Sequence, residues 1–429
     1  MNDKFNVRLS WAFYDWANSA WSAIIITFIF SRYFVDVLSP NVDQGTLFWT
    51  WTIGLSSLLA AILSPIVGSI SDQSQKSKIW LISTTIIYAL IALSLWFAEP
   101  NLINLFIIII LIFIGNLSYE ISQIFYNGQL KLITNKQNFA RISGLAWGLG
   151  YAGTVIIFII YYGLFFLPAD PIIDLDLDSY ENIRISFLIT GFWILLFALP
   201  LFITFKDPIT DKLEAKNTFS ESFKQIKITF NEIQKYKNLV WFLIARLFYM
   251  DGINAIFAVA AIYATVVFGM STTDIIMLGI GTNIAAGIGS WVFSFIENRI
   301  GSKNTIVFSL ISIFLISFII LFIDQKNLFI VLAIILSSFF GPVQSASRVY
   351  FAKSIPENKK FEFFGFYSFS GKVTSFVGPV LYGTIAFIFS SPQLGLASLL
   401  VLFAIGLLLI LKVDNDKIKK LNFFTNLDF

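Results

Sequence analysis

The sequence predicts an all-α integral membrane protein, with twelve transmembrane helices arranged as two pseudo-symmetric bundles of six. Three observations predict it. Hydrophobic residues make up 57% of the chain and charged residues 13%, and the mean hydropathy is +0.79; a soluble domain carries about 25% charged residues. Apolar runs long enough to cross roughly 30 Å of hydrocarbon recur along the whole length. Most of the 29 Lys and Arg fall in alternate connecting segments, among them Lys4 and Arg8, Lys131–Arg141, Lys206–Lys237 and Arg348–Lys360. This positive-inside bias predicts an inner-membrane protein with both termini in the cytoplasm.

The first run, Val7–Phe34, carries Asp15 and Asn18 and is too long and too polar for a removable leader, so it counts as span one. Span two is Phe48–Ile70, followed by Gly68-Ser-Ile-Ser-Asp72-Gln-Ser-Gln-Lys76, and span three is Ile79–Ala98 with an uncharged interior. Span four, Leu102–Phe125, holds Asn116, Glu120 and Gln123; span five, Ile142–Leu167, is crowded with Gly144, Gly148, Gly150 and Gly153; span six is Ile185–Phe205. The longest polar break, 206–238, separates an N-terminal bundle (1–205) from a C-terminal one (239–411) and a tail (412–429). Within it Phe219, Phe223, Ile226, Phe230 and Ile233 recur at spacings of three and four, which fits an amphipathic helix on the membrane surface or a solvated linker with a chance stripe.

The second set repeats the plan. Span seven, Leu239–Phe268, carries Arg246, Asp251 and Asn254; span eight, Ile275–Ile296, carries Gly279, Gly281, Gly287 and Gly289 and leads to Arg299 and Gly301; span nine is Thr305–Ile323. Span ten, Leu328–Val349, holds Gln344, Ser347 and Arg348; span eleven, Phe363–Phe389, holds Gly365, Gly371, Lys372 and Gly378; span twelve is Leu394–Leu411. Asp15 and Asn18 are echoed by Asp251 and Asn254, while Gln123, Gly144 and Gly150 match Gln344, Gly365 and Gly371 at one spacing of 221 residues. Polar residues therefore mark spans one, four, seven and ten as lining a wet cavity. Glycine-rich spans five, eight and eleven pack against the opposite half, and small residues let such helices approach closely. The uncharged third, sixth, ninth and twelfth face lipid.

Composition excludes other classes. With no Cys there is neither a disulfide nor a thiolate metal site, and with no His any proton coupling must run through carboxylates. The net charge of +3 is a topology signal, not a mark of nucleic-acid binding. Gly365–Lys372 misses a phosphate-binding loop at Ser370, and Asp174-Leu-Asp176-Leu-Asp178 misses a calcium loop at Ser179 and Ile185. No cofactor, metal or enzyme chemistry is expected.

A carboxylate inside a span costs about 2.5–3.5 kcal/mol on insertion scales, so Asp15, Glu120 and Asp251 are the leading pathway candidates. Asn18, Asn116, Gln123, Asn254 and Gln344 accompany them on the cavity helices. Asp251 pairs with Arg246 or meets solute, and Asp15 is the expected solute contact. Glu120 is the proton-coupling candidate or an interhelical hydrogen-bond partner. Lys372 binds an anionic group or pairs with Asp15 or Asp251, and Arg348 reads as a gate or topology residue. Gly68, Asp72, Arg299 and Gly301 form the expected gating loops.

Tyr14-Asp-Trp-Ala-Asn-Ser-Ala20, Arg141-Ile-Ser-Gly-Leu-Ala-Trp-Gly-Leu-Gly-Tyr151, Tyr249-Met-Asp-Gly252, Gly341-Pro-Val-Gln-Ser-Ala-Ser-Arg348 and Phe364-Gly-Phe-Tyr-Ser-Phe-Ser-Gly-Lys372 resemble the vacuole-effluxer-like branch of the major facilitator superfamily. The branch takes its name from an autophagy-related amino-acid exporter of the yeast vacuole. The resemblance covers nearly the whole chain and implies alternating access around a central cavity; the loop after span two departs from the superfamily pattern at Gln73 and Gln75. The expected activity is secondary transport of a small polar solute, an amino acid by its charge complement, with proton coupling, by a monomer in the lipid bilayer. The alternatives are proton-driven efflux of amphipathic compounds and a receptor or lipid-handling protein on the same scaffold.

Overall fold

The structure, a computed structural model, describes residues 2–100, 105–166, 175–208, 224, 227–229 and 233–415. Most of the linker stripe, Asp174 and the end of the tail lie outside the described residues. Among the described residues twelve helices are long and apolar enough to span a membrane, as the sequence predicts. They are α1 (Asn6–Leu38), α2 (Val42–Ser74), α3 (Ser77–Phe97), α4 (Leu105–Ile133), α5 (Phe139–Phe165), α6 (Glu181–Thr204), α7 (Lys237–Phe268), α8 (Asp274–Ile300), α9 (Ser302–Ile320), α10 (Lys326–Ser354), α11 (Glu357–Ile388) and α12 (Pro392–Leu411). No strand occurs among the described residues. Helix is the expected solution here, because hydrocarbon supplies no partner for an open backbone N–H or C=O.

Several helices outrun the apolar stretches that reveal them. α2 extends beyond Phe48–Ile70 at both ends. Asn41 accepts the Gln44 amide at 2.9 Å to start it, and Gln75 ends it in the left-handed region at φ +53°. α8 opens on a capping box in which Ser271 and Asp274 satisfy each other's backbone amides. Hydropathy finds only the lipid-buried part of a helix; the caps lie in polar sequence outside it. α1 and α11 are not continuous α-helix. α1 passes through π-turns at Trp21–Phe28 and Phe34–Leu38, and α11 is interrupted between Lys372 and Val377.

The packing bears on two parts of the predicted division of labour, the helices that meet the other half and those that face outward. Contacts between the two halves run mainly through α2 with α11 and α5 with α8, supplemented by α4 and α10. α3, α6, α9 and α12 pack within their own halves and turn Leu90, Phe192, Leu315 and Leu408 outward. The α2–α11 crossing is close because glycines sit at it. A Cβ on Gly68 would strike the Phe361 carbonyl, and one on Gly365 the Ser64 carbonyl.

The halves close on one side only. On the side of Lys76, Lys131 and Arg299 (the basic side) α2 packs along the first part of α11, Lys360–Lys372. The second part of α11, Val377–Ile388, packs instead on α7 and α12 of its own half. Gly54 on α2 and Gly279 on α8 have open space where a Cβ would stand. The two halves therefore meet closely on the basic side and stand apart on the other, leaving a cleft that ends near Lys372.

Candidate cavity floor and cross-half contacts

Cross-half bonds lie in three layers between the cleft floor and the basic side. At the floor Lys372 Nζ from α11 meets Glu120 Oε1 from α4 at 2.7 Å. Glu120 is buried, but the Lys372 side chain keeps 38% of its surface exposed. The other crossing at this level is neutral: the Tyr151 hydroxyl of α5 donates to Gln344 Oε1 of α10 at 3.4 Å. These two links occupy equivalent places in the repeat. Tyr151 stands at the 221-residue offset from Lys372, and Gln344 lies one turn from Gly341, the equivalent of Glu120. Pseudo-symmetry thus builds two cross-half links, and the side chains make one ionic and one neutral.

The second layer is centred on Arg348, whose guanidinium from α10 is buried in the N-terminal half. Its Nη1 donates to Asp15 Oδ2 and to Asn127 Oδ1, both at 3.3 Å, while Nε and Nη2 donate to Ser143 Oγ and O at 2.9 Å. The guanidinium also stacks over Trp11, 4.8 Å from the ring centroid, with Tyr126 and Trp147 nearby. Ser345 Oγ donates to Ser143 Oγ at 3.0 Å and adds another crossing bond. Asn127 is the 221-residue equivalent of Arg348, so the arginine grips its own repeat partner across the axis. Only one half carries the charge.

The third layer faces the basic side. Asp72 at the end of α2 accepts the Phe361 and Glu362 amides at 3.2 and 2.8 Å, near the start of α11. A carboxylate there also complements the helix dipole. Lys131 of α4 donates to the Ile355 carbonyl at 2.7 Å and pairs with Glu357 at 3.0 Å. Of the expected gating loops, then, Gly68 and Asp72 bridge the halves. In the second copy Glu297 accepts Ser302 Oγ of its own half at 2.6 Å, Arg299 is exposed, and Gly301 ends α8 at φ +90°.

Residues 33–421 match the family described as "Vacuole effluxer Atg22 like". The chain belongs to this family. Among curated relatives, it is 27% identical over 419 residues to the uncharacterized MFS-type transporter YxiO of Bacillus subtilis, covering 95% of this chain and 94% of that one. It is 25% identical over 288 residues to autophagy-related protein 22 of Cryptococcus neoformans, covering 62% of this chain and 52% of that protein. Among solved structures, the transporter FucP in its outward conformation superposes with a TM-score of 0.73 at 15% identity, covering 96% of this chain and 99% of that one. The proton:xylose symporter XylE gives 0.73 at 11% identity, covering 96% of each chain. An Atg22-like chain with the major facilitator fold is a transporter working by alternating access.

Three expectations for this family member need correction. Asp251 does not pair with Arg246: it accepts the Gly378 amide at 3.2 and 3.1 Å, while Arg246 donates to the Tyr367 carbonyl and Ser370 hydroxyl. The residues are five apart on one helix, about 140° around its axis, so they face different neighbours. It is Asp15 that forms the ion pair, with Arg348, and Lys372 takes Glu120, not Asp15 or Asp251. Asn116 donates to the Ser56 and Ser57 hydroxyls at 2.8 and 3.1 Å and fastens α4 to α2 within one half. Gln123 and Asn254 are half-buried and Asn18 is buried. In the segment between α5 and α6 Asp176 accepts the Asp178 amide at 3.0 Å, and hydrogen bonds from Ser179 and that amide hold its carboxyl below the usual carboxylate range. Sequence reading missed Asn127 and Ser143. The 221-residue offset joining Asn127 to Arg348 was the available signal for the first, and the place of Ser143 in the Arg141–Tyr151 motif for the second.

Proposed function

We propose that this transporter moves a small zwitterionic solute, an amino acid, across the bacterial inner membrane with its basic side in the cytoplasm. The Glu120–Lys372 pair carries the reading. A cation and an anion from opposite halves sit 2.7 Å apart at the floor of an open cleft, and the cation is partly exposed to it. An α-amino acid offers the complementary charges: its carboxylate for Lys372 and its ammonium for Glu120. Exchanging one pair for two keeps every charge compensated. That matters because stripping a buried charge of its partner costs about 3–5 kcal/mol.

The same exchange couples occupancy to motion. With the cleft empty, Glu120 and Lys372 tie the halves directly. With solute between them the tie becomes a bridge, which lets the halves change their relative tilt around a fixed midplane site. Protons are the proposed coupling ion. In a chain without His, Glu120 and Asp15 are two carboxylates inside the spans that pair with a cation of the other half, and a proton on either would remove that ionic attraction.

The test is counterflow and thermal stabilisation of the purified protein in liposomes across a full panel of amino acids. Glu120→Gln and Lys372→Gln are expected to abolish amino-acid counterflow while the protein still folds. Flux or stabilisation by none of the panel would end the amino-acid reading. Selective flux of amphipathic cations, indifferent to Lys372→Gln, would favour efflux of such compounds instead.

A further inference from the structure

α11 stops being helical at the level of the cleft floor. Its first part ends at Lys372, residues 373–376 form turns, and its second part starts at Val377. Within the break, the Ser375 amide and hydroxyl both donate to the Lys372 carbonyl at 3.1 and 2.9 Å, and the Val377 amide turns back to Thr374 at 2.8 Å. The tighter turn frees the Gly378 amide from its usual helical acceptor. A break in a membrane span needs something to hold the loosened ends.

Both ends are held by one helix. Arg246 of α7, buried, donates to the Tyr367 carbonyl at 2.7 Å and to Ser370 Oγ at 3.0 Å, and its guanidinium lies 3.6 Å from the centre of the Tyr367 ring. Asp251, also buried, takes the freed Gly378 amide with both carboxylate oxygens. The signs match the helix ends they meet. The C-terminal end of a helix carries about half a negative charge and the N-terminal end about half a positive one; Arg246 sits on the former and Asp251 on the latter. Glycines let α7 come this close: a Cβ on Gly371 would stand 2.5 Å from Arg246 Nη1, and one on Gly378 would stand 2.9 Å from the Asp251 carbonyl.

We propose that Arg246 and Asp251 form a two-charge staple that fixes the break in α11 and thereby aims Lys372 at Glu120. They are positioning residues, not solute ligands. This explains why the two opposite charges on α7 ignore each other, and why the Asp251 half of the repeat is not interchangeable with Asp15. The consequence for transport rests on the reading of Lys372 as the solute's carboxylate partner; the staple itself does not.

The chain has no cysteine, so nitroxide labels at Phe366→Cys and Val380→Cys report on the break alone through their pulsed electron–electron distance. The parent is expected to give one narrow distance. Arg246→Gln and Asp251→Ala are expected to lose it in favour of a broad distribution, with Arg246→Lys restoring a narrow one and Lys372→Gln leaving it unchanged. A narrow, parent-like distance in both Arg246→Gln and Asp251→Ala would overturn the staple. Should those variants fail to fold, Gly371→Ala displaces the guanidinium without removing its charge; an unchanged distance there would also overturn the arginine's part. A mixture of the twenty proteinogenic amino acids, added to the parent, tests the other reading by its melting temperature. No stabilisation alongside broadened variant distances removes the solute assignment and leaves the staple.

Discussion

Arg348 shows how much one side chain decides at the residue scale. It is a buried cation that belongs by sequence to the C-terminal half and by every polar contact named above to the N-terminal half. Removing it would leave Asp15, whose side chain is 13% exposed, without its compensating charge. We expect Arg348→Ala to lower stability by about 3–5 kcal/mol, read as a fall in melting temperature. Adding Asp15→Asn should recover part of that loss, because the orphaned charge disappears. A double variant as unstable as the sum of the two single variants would mean that the pair contributes nothing as a pair. None of this partnering was legible from Arg348 itself, which reads in sequence as a basic residue near the end of a span.

At the scale of elements, the interface helices were the most legible feature. Gly365 and Gly371 share a spacing with Gly144 and Gly150, and the helices that carry them are the ones that cross between the halves. The α2–α11 crossing tests the reason. Gly365→Val would put side-chain atoms into the Ser64 carbonyl and part the two helices. It should abolish transport while circular dichroism still shows full helix content; parent-level transport would show that the close approach is dispensable. What the pattern did not reveal is that α11 is two helices. Its hydropathy is continuous through Lys372, and the break is stabilised by Arg246 and Asp251 on a helix more than a hundred residues away in sequence.

At the scale of the whole molecule, the layers of cross-half bonds define one end of the transport cycle. Closed on the basic side and open on the other, the molecule must separate Arg348 from Ser143 and Ser345 from Ser143 to open the opposite way. The Ser143 and Ser345 hydroxyls, 3.0 Å apart, offer a lock of nearly native shape. In the naturally cysteine-free chain, Ser143→Cys with Ser345→Cys should form a disulfide on oxidation and stop solute exchange, with reductant restoring it. A fully oxidised protein that exchanges solute at the reduced rate would show that this layer does not open during transport.

By itself the sequence determined the number of spans, which helices face lipid and which face the other half, the repeat relating the halves, and the family. These are properties of local composition and period: a lipid environment selects apolar helices one at a time, and glycine permits close approach wherever it lies. Only the tertiary structure decided which charge meets which. Glu120 found Lys372, Asp15 found Arg348, and Arg246 and Asp251 parted to hold the two ends of α11. Pairing depends on distances of a few ångströms between helices far apart in the chain. Two halves with nearly the same pattern permit several pairings, and packing selects among them.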